Sequence, residues 1–491
     1  MSLSGRRHLL LAAMAVAVVA ALCIMSLRTI SAISFERPLM VVTSGAEEEV
    51  LQGVLRAMEG NTYVDPNKIP FSASYYNWAF YTLEAKVITQ ASKAFNLETA
   101  WIPTIGRLLA MSSAALCWLA ALACLRRVSP STNGAQRLHD HLLALWLGFG
   151  PLVGWWGLSI NVELWATLCT MLASLALLAL YPRRPLLAVA LASLFSVLAW
   201  SFKQSYIFVP MALGMILLIR RDWKGMAITV LVHLVGVILP LALGSPEYRN
   251  MMLAWRSSGF SMFQFQQVMF NVPTKILPLL LVPIGLPPLL RQWRALRDDL
   301  PLMLGLCGVI ACLPLIPASA KIGAAENYFF PAAFFLAIIS TRVVRSLAEH
   351  RWPAWPTLGL AGVWAVQGAA CIAVLAGYGG VTDVRNVDAR YRSQRPCVAD
   401  LPAPMFALDN YLSLPWMHAG GPHFIMAYQY RVERINGQAF EGGGIGGLIQ
   451  QKYFRSIVYP TGFREPLEGV PLDGYRLARE NCAGLDIYAQ K

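Results

Sequence analysis

Apolar runs long enough to cross a lipid bilayer recur along the first 377 residues, and they decide what this chain can fold into. Inside a bilayer every backbone N–H and C=O must find a partner within the protein, so such runs become helices. The first follows Arg6 and Arg7 in "MSLSGRRHLLLAAMAVAVVAALCIMSL", and its apolar stretch is of spanning length, about 20 residues. A cleaved signal peptide would have a shorter apolar core and a small-x-small site, so the run is read as an uncleaved span. Further runs lie at 102–124, 142–160, 163–181, 185–202, 204–220, 225–244, 276–290, 300–317, 327–341 and 357–377, which gives about eleven spans.

The charges set the orientation. Only 14% of the 491 residues are charged and 56% are hydrophobic, the profile of a polytopic membrane protein. The net charge of +13 is then a topology signal, with no nucleic acid needed to explain it. With the N-terminus inside, Arg126, Arg127, Arg183, Arg184, Arg220, Arg221, Lys224, Arg291, Arg294, Arg297, Arg342 and Arg345 fall on inside loops. The short outside loops hold only Lys203, Arg249, Arg256, Lys275 and Lys321. An odd number of spans leaves two large segments outside, a first loop (29–101) and a tail (378–491). The expected domains are therefore a transmembrane unit over 1–377 and a soluble α/β unit over 378–491. In the tail, "FIMAYQY" and "RSIVYP" read as strands and "GLIQQKYF" as a short helix. Cys397 and Cys482 are the only cysteines in the tail, and an oxidising compartment predicts that they form a disulfide.

The first loop opens with "TSGAEEEV", where Glu47, Glu48 and Glu49 follow one another. Val50, Leu51, Val54, Leu55 and Met58 then share a helical face, and Gly60-Asn61 stops the helix. Ser44 and Glu47 fit a capping box. A cap needs one or two carboxylates, however, and a third in a row suits a base facing a cavity or a carboxylate opposite a cation. Tyr63, Phe71, Tyr75, Tyr76, Trp78, Phe80 and Tyr81 follow, either an interfacial belt or a stacking surface for a sugar or an isoprenoid. Lys203 interrupts a strongly apolar stretch at the outside end of two spans, and an ionisable residue at that depth is a functional candidate. Its alternative is a turn lysine snorkelling to headgroups. Glu163, also on the outside, reads as a helix N-terminal acid.

The acids opening the first loop, the amphipathic helix, the Tyr63-x-Asp65 and aromatic stretch, "LAWSFKQSYIFV" with Lys203-Gln204, "AAENYFFPAAFF" with Asn327-Tyr328 and "MFALDNYLSLPWMHAG" resemble, in order and sidedness, the GT-C fold glycosyltransferases. The branch resembled is that of bacterial aminoarabinose transferase and protein mannosyltransferases. The resemblance implies transfer of a sugar from a polyprenyl-phosphate donor to an acceptor at the periplasmic face of a bacterial inner membrane. It implies a loop-1 acid, Glu47 or Glu48, as base. Lys203 and Gln204 would face the donor phosphate, with Asn327, Tyr328, Tyr63 and Asp65 as further substrate contacts. The family often has Asp-Glu where this chain has Ala46-Glu47. A carboxylate that takes a hydroxyl proton and cations that meet the leaving phosphate make chemical sense of this set. Sugar, acceptor and any metal requirement are not readable from the residues, and no cofactor is called for. "EGGGIGGL" contains G-x-G-x-x-G but lacks the βαβ context of a dinucleotide site. A transporter or lipid flippase would show half-repeats and mid-membrane charge. That reading, and a non-catalytic envelope assembly protein, are the alternatives.

Overall fold

The computed structural model describes the chain except for residues 1–2, 42–44, 72–73, 129, 131–132, 254–258, 281–296, 322, 350–354, 409–422, 426–427, 436 and 464–466. Its helices are α1 (Leu3–Ala32), α2 (Glu47–Met58), α3 (Trp78–Phe95), α4 (Ile102–Val128), α5 (Gly134–Phe149), α6 (Glu163–Leu180), α7 (Pro185–Phe202), α8 (Phe208–Arg220), α9 (Trp223–His233), α10 (Leu239–Leu243) and α11 (Pro246–Leu253). They continue with α12 (Met262–Leu280), α13 (Leu300–Cys312), α14 (Leu315–Ala318), α15 (Phe330–Glu349), α16 (Trp355–Ala376), α17 (Val381–Val398), α18 (Tyr428–Ile435) and α19 (Gly444–Gln450).

Among the described residues, seven helical segments are long and apolar enough to cross a membrane, and α8 and α13 are shorter apolar helices. The chain is thus a polytopic helical membrane protein. Side chains and prolines punctuate the helices. Asn133, Asp222 and Asp299 cap α5, α9 and α13 by accepting from Ala135 N, Gly225 N and Leu302 N. Pro185 opens α7, where its missing N–H costs nothing. Small residues set the closest helix contacts. A Cβ at Gly308 of α13 would stand 2.2 Å from the Phe335 ring of α15, so only glycine lets these two helices meet. The run at 142–160 folds differently from its hydropathy. Its helix begins eight residues earlier, at Gly134, because Gln136, His139 and Asp140 are buried and bonded to one another. It ends at Phe149, ahead of a 3-10 turn at Gly154–Gly157.

The first loop forms a two-stranded ladder, β1 (Met40–Val41) against β2 (Gly45–Ala46), followed by α2. Val50, Leu51, Val54 and Leu55 of α2 are buried against Phe80, Tyr81 and Ile88 of α3. Gly60, with φ +84°, ends the helix in a conformation that disfavours a side chain. Asn77 caps α3 and ties it to the end of α7: its N–H reaches Phe202 O at 3.3 Å and its Nδ2 reaches Trp200 O at 3.0 Å.

The last 87 residues carry a five-stranded sheet of order β4-β3-β5-β7-β6, made of β3 (Met405–Ala407), β4 (His423–Ile425), β5 (Ser456–Pro460), β6 (Tyr475–Cys482) and β7 (Leu485–Gln490). β3 runs parallel to β4 and β5, and β7 runs antiparallel to β5 and β6. "FIMAYQY" departs from the expected strand: β4 stops at Ile425 and α18 begins at Tyr428. Tyr430 is there buried in the core, its hydroxyl donating to Glu468 Oε1 at 2.9 Å. The glycine-rich stretch opens α19, and a 3-10 turn (Glu441–Gly443) rather than a strand stands directly before it. Cys397 of α17 and Cys482 of β6 are joined by a disulfide. Phe71 of the first loop sits in this core, against Phe424, Tyr430 and Phe440.

Candidate functional site

Four elements converge where α7 ends and α6 begins. Lys203 follows the last turn of α7, and its Nζ lies 2.5 Å from Oε1 of Glu163, the first residue of α6. Asn327, in the 3-10 turn before α15, donates from Nδ2 to the same Oε1 at 2.6 Å. The Lys203 ammonium also stands over the rings of Tyr328 (4.9 Å) and Tyr76 (5.7 Å), a cation–π arrangement. Tyr206 holds the base of α6, its hydroxyl meeting Thr167 Oγ1 at 2.8 Å and Glu163 O at 3.1 Å. Glu163, Lys203 and Asn327 are all buried.

This centre is saturated on one side and open on the other. Glu163 Oε2, Asn327 Oδ1 and Gln204 Oε1 are buried acceptors with no hydrogen-bond partner among the described residues. Gln204 Nε2 is spent on Tyr75 O at 2.7 Å. A buried acceptor left without a donor carries a desolvation cost, so water or a ligand that brings donors suits this set. Lys321 adds charge from the loop before the 3-10 turn. Burial, and then the neighbouring charge of Lys203, push its ammonium below its ordinary pKa. Next to Asn327, Glu326 pairs with Lys275 of α12 at 2.6 Å.

The expectation that Lys203 offers a free ammonium to a phosphate meets a different arrangement. Its charge is matched by Glu163, which opens α6 as an N-terminal acid; the signal in the sequence for this pair is that both stand at the same end of adjacent spans.

Glu47 also departs from expectation. Both its oxygens are filled. Oε1 accepts from Ile160 N (2.9 Å) and Arg107 Nε (3.2 Å), and Oε2 from Leu39 N (2.5 Å) and Arg107 Nη2 (2.8 Å). Both partners of this ion pair are fully buried. Arg107 in turn donates to the carbonyls of Ala32, Ile33, Phe35 and Arg37. Glu47 is therefore a strut between the first loop and α4, a poor place for a base that must receive a proton. The capping box expected between Ser44 and Glu47 involves a residue outside the described ones; helical geometry starts at Glu47, after Gly45 and Ala46 pair as a strand.

One residue apart on a helix is a turn of about 100°, so the other two acids point elsewhere. Glu48 is buried. Glu49 lines a small cavity with Gln52, Tyr75, Tyr430 and Glu433. Burial, then the charges of Glu49 and Glu433, hold the Tyr75 hydroxyl well above its ordinary pKa. Tyr76, whose ring stands 5.7 Å from the Lys203 ammonium, has its hydroxyl held above its ordinary pKa by burial and then by the charges of Glu163 and, more weakly, Glu49. Of the remaining expected contacts, Tyr63 donates to Tyr76 O at 3.0 Å and packs edge-on against Tyr81 and Tyr248. Asp65 accepts from Asn67 N at 3.0 Å, a turn contact. Among the described residues Tyr63 meets the Lys203 centre only through the Tyr76 backbone and Asp65 does not meet it, whereas Gln204, Asn327 and Tyr328 stand in or beside it. The aromatic cluster divides: Phe71 joins the C-terminal core, while Tyr63, Tyr76, Phe80 and Tyr81 pack together. Arg256, a further candidate cation, lies outside the described residues. No group of three or more potential metal ligands occurs among the described residues.

No protein-family model and no curated protein matches the sequence. Solved structures do match the fold. The chain is similar to ArnT from Cupriavidus metallidurans, solved bound to undecaprenyl phosphate, with a TM-score of 0.56 and 16% identity over 96% of this chain and 97% of that one. It is also similar to the oligosaccharyltransferase AglB from Archaeoglobus fulgidus, solved with an inhibitory peptide and a dolichol-phosphate. That match has a TM-score of 0.50 and 13% identity over 98% of this chain and 74% of AglB. The chain thus has the fold of these two structures, the GT-C fold.

Proposed function

We propose that this protein is a polyprenyl-phosphate-dependent glycosyltransferase that moves a sugar to an acceptor at the membrane face bearing the Lys203 centre. The observation that carries the reading is the set of orphan acceptors, Glu163 Oε2, Asn327 Oδ1 and Gln204 Oε1, around a lysine held between two tyrosine rings. Sugar hydroxyls supply the donors those oxygens lack. Lys321, a partly buried cation beside Lys203, meets the lipid phosphate and stabilises the charge that develops on it as the glycosidic bond breaks. The match to a structure holding undecaprenyl phosphate supports the donor class.

The base belongs to the first loop. With Glu47 locked to Arg107, Glu49 is the acid that faces a cavity and lies within weak electrostatic reach of Tyr76, and it takes the acceptor's proton while the acceptor oxygen attacks the anomeric carbon from the side opposite the departing phosphate. The product is inverted. Glu48 is the second candidate. The same reading has an N-terminus in the cytoplasm, eleven spans in a bacterial inner membrane and residues 378–491 in the periplasm, supported by the basic residues of the alternate loops.

The test is a glutamine scan with two readouts. Binding of undecaprenyl phosphate is measured by native mass spectrometry, and transfer is measured from polyprenyl-phosphate radiolabelled sugars into an envelope fraction. Glu49→Gln should keep lipid binding and lose ~10²–10⁴ in rate, while Lys321→Ala should weaken lipid binding itself. A Glu49→Gln protein that transfers at the wild-type rate while Glu48→Gln does not moves the base by one residue. Wild-type transfer in both removes the loop-1 base.

A further inference from the structure

A cleft of about 270 Å³ opens between α1, the turn after α5, α12 and α16, and its Lys275 pairs with Glu326, the chain neighbour of Asn327. Its walls are apolar: Ala21 and Ile24 of α1, Phe149, and Ala370, Cys371 and Val374 of α16. Thr274, Lys275, Gln367 and Arg28 are its polar residues, and no carboxylate lines it among the described residues. The exposed faces of Ala370 and Val374 open it to lipid.

Arg28 is the unusual group. It sits near the last turn of a membrane-crossing helix, where a charge without a task is costly. The guanidinium stacks on Trp155 at 4.6 Å, and Nε donates to Gly379 O at 2.8 Å. Those two contacts fix the plane of the fork. They leave both Nη groups uncommitted: no carboxylate pairs with Arg28 among the described residues, and Nη1 lies beside Gly154, itself a wall of the cleft. Lys275, the other cation, is already matched by Glu326. Among the described residues the cleft therefore has one rigidly held, unmatched positive charge above apolar walls. That is the complement of a lipid with an anionic phosphate head, because a planar guanidinium binds phosphate oxygens through two parallel N–H groups.

We propose that this cleft is a binding site for one anionic phospholipid of the surrounding bilayer, its phosphate on Arg28 and an acyl chain between α1 and α16. The proposal does not rest on the transferase reading. A phospholipid is chosen over a polyprenyl phosphate because the cleft faces the bilayer and its free cation is Arg28, whereas the orphan acceptors and Lys321 lie at the other site.

The full chain, delipidated in detergent, is titrated with phosphatidylglycerol, phosphatidylcholine and undecaprenyl phosphate, and bound lipid is counted by native mass spectrometry. The wild type should retain one phosphatidylglycerol in preference to phosphatidylcholine. Arg28→Gln should lose that preference by roughly tenfold or more, the worth of a charged hydrogen bond, and Arg28→Lys should recover part of it. Ala370→Trp, which keeps the arginine and fills the cleft from an exposed position, should expel the lipid while undecaprenyl phosphate still binds at the other centre. Unchanged phosphatidylglycerol retention in both Arg28→Gln and Ala370→Trp overturns the site. Equal retention of phosphatidylcholine, or displacement of phosphatidylglycerol by one equivalent of undecaprenyl phosphate, overturns the choice of lipid.

Discussion

Glu47→Gln separates a strut from a base, and the structure sets the size of the effect. The substitution keeps the shape and an acceptor oxygen for Leu39 N or Ile160 N but removes the only negative charge that faces Arg107 among the described ion pairs. Arg107 is fully buried and cannot turn to water. Removing one partner of a buried pair typically costs about 3–5 kcal/mol. Arg107→Met should cost at least as much, since it also takes donors from four backbone carbonyls, each left unmet at about 1–3 kcal/mol. The double variant should cost less than the two singles together by about 0.5–3 kcal/mol, the coupling expected of groups in direct contact. Thermal unfolding of purified protein, followed by tryptophan fluorescence, reads all four corners of the cycle. Glu49→Gln is the control and should melt with the wild type. A Glu47→Gln protein that melts with the wild type yet fails to transfer sugar would refute the strut and restore Glu47 as the base.

Three further outcomes follow from groups away from the centre. Burial pushes the Glu84 carboxyl of α3 up from 4.5 to about 8, so its contribution to stability is complete below pH ~4.5 and is lost as pH rises through about 8. Glu84→Gln cannot ionise and should flatten the fall in melting temperature between pH 5 and 9; equal slopes in both proteins would show that another group governs it. Cys397→Ser with Cys482→Ser opens a link between residues 85 apart and should destabilise the C-terminal sheet by roughly 2–5 kcal/mol, read as faster proteolysis within residues 399–491. A reporter active only in the periplasm, fused after Lys491, should be active, and activity of a cytoplasmic reporter there would invert the proposed topology.

Much of the helical frame was legible because hydropathy is a local property: the runs at 102–124, 163–181, 185–202 and 357–377 coincide closely with α4, α6, α7 and α16. The start of α5 was hidden because Gln136, His139 and Asp140 satisfy one another only once folded. The centre was half legible. Lys203, Asn327 and Tyr328 stood out as polar groups at span ends, but nothing local shows that Glu163, 40 residues before Lys203, would neutralise it. The Glu47 partner had a visible trace, since Arg107 is a charge inside an apolar run and such a charge needs an answering group. What the chain does not write locally is which of three consecutive acids supplies the answer. That is fixed by the rotation of α2 about its axis, which its apolar face against α3 determines.

The seating of Phe71 in the C-terminal core puts a clock on the biogenesis of this protein. Ile69 N and Glu441 Oε2, bonded at 3.0 Å, are 372 residues apart. At a synthesis rate of ~5–20 residues per second, the first loop leaves the ribosome roughly 20–75 s before the segment that completes its hydrophobic surroundings. During that interval Phe71 and Ile69 have no core to enter, although α2 and α3 have already been made and can pack. The loop and the sheet thus mature last and together, as the closing step of assembly. A chain cut short after α16 would have a nearly complete set of membrane helices and still present the loop's aromatic residues to whatever quality-control machinery meets them first.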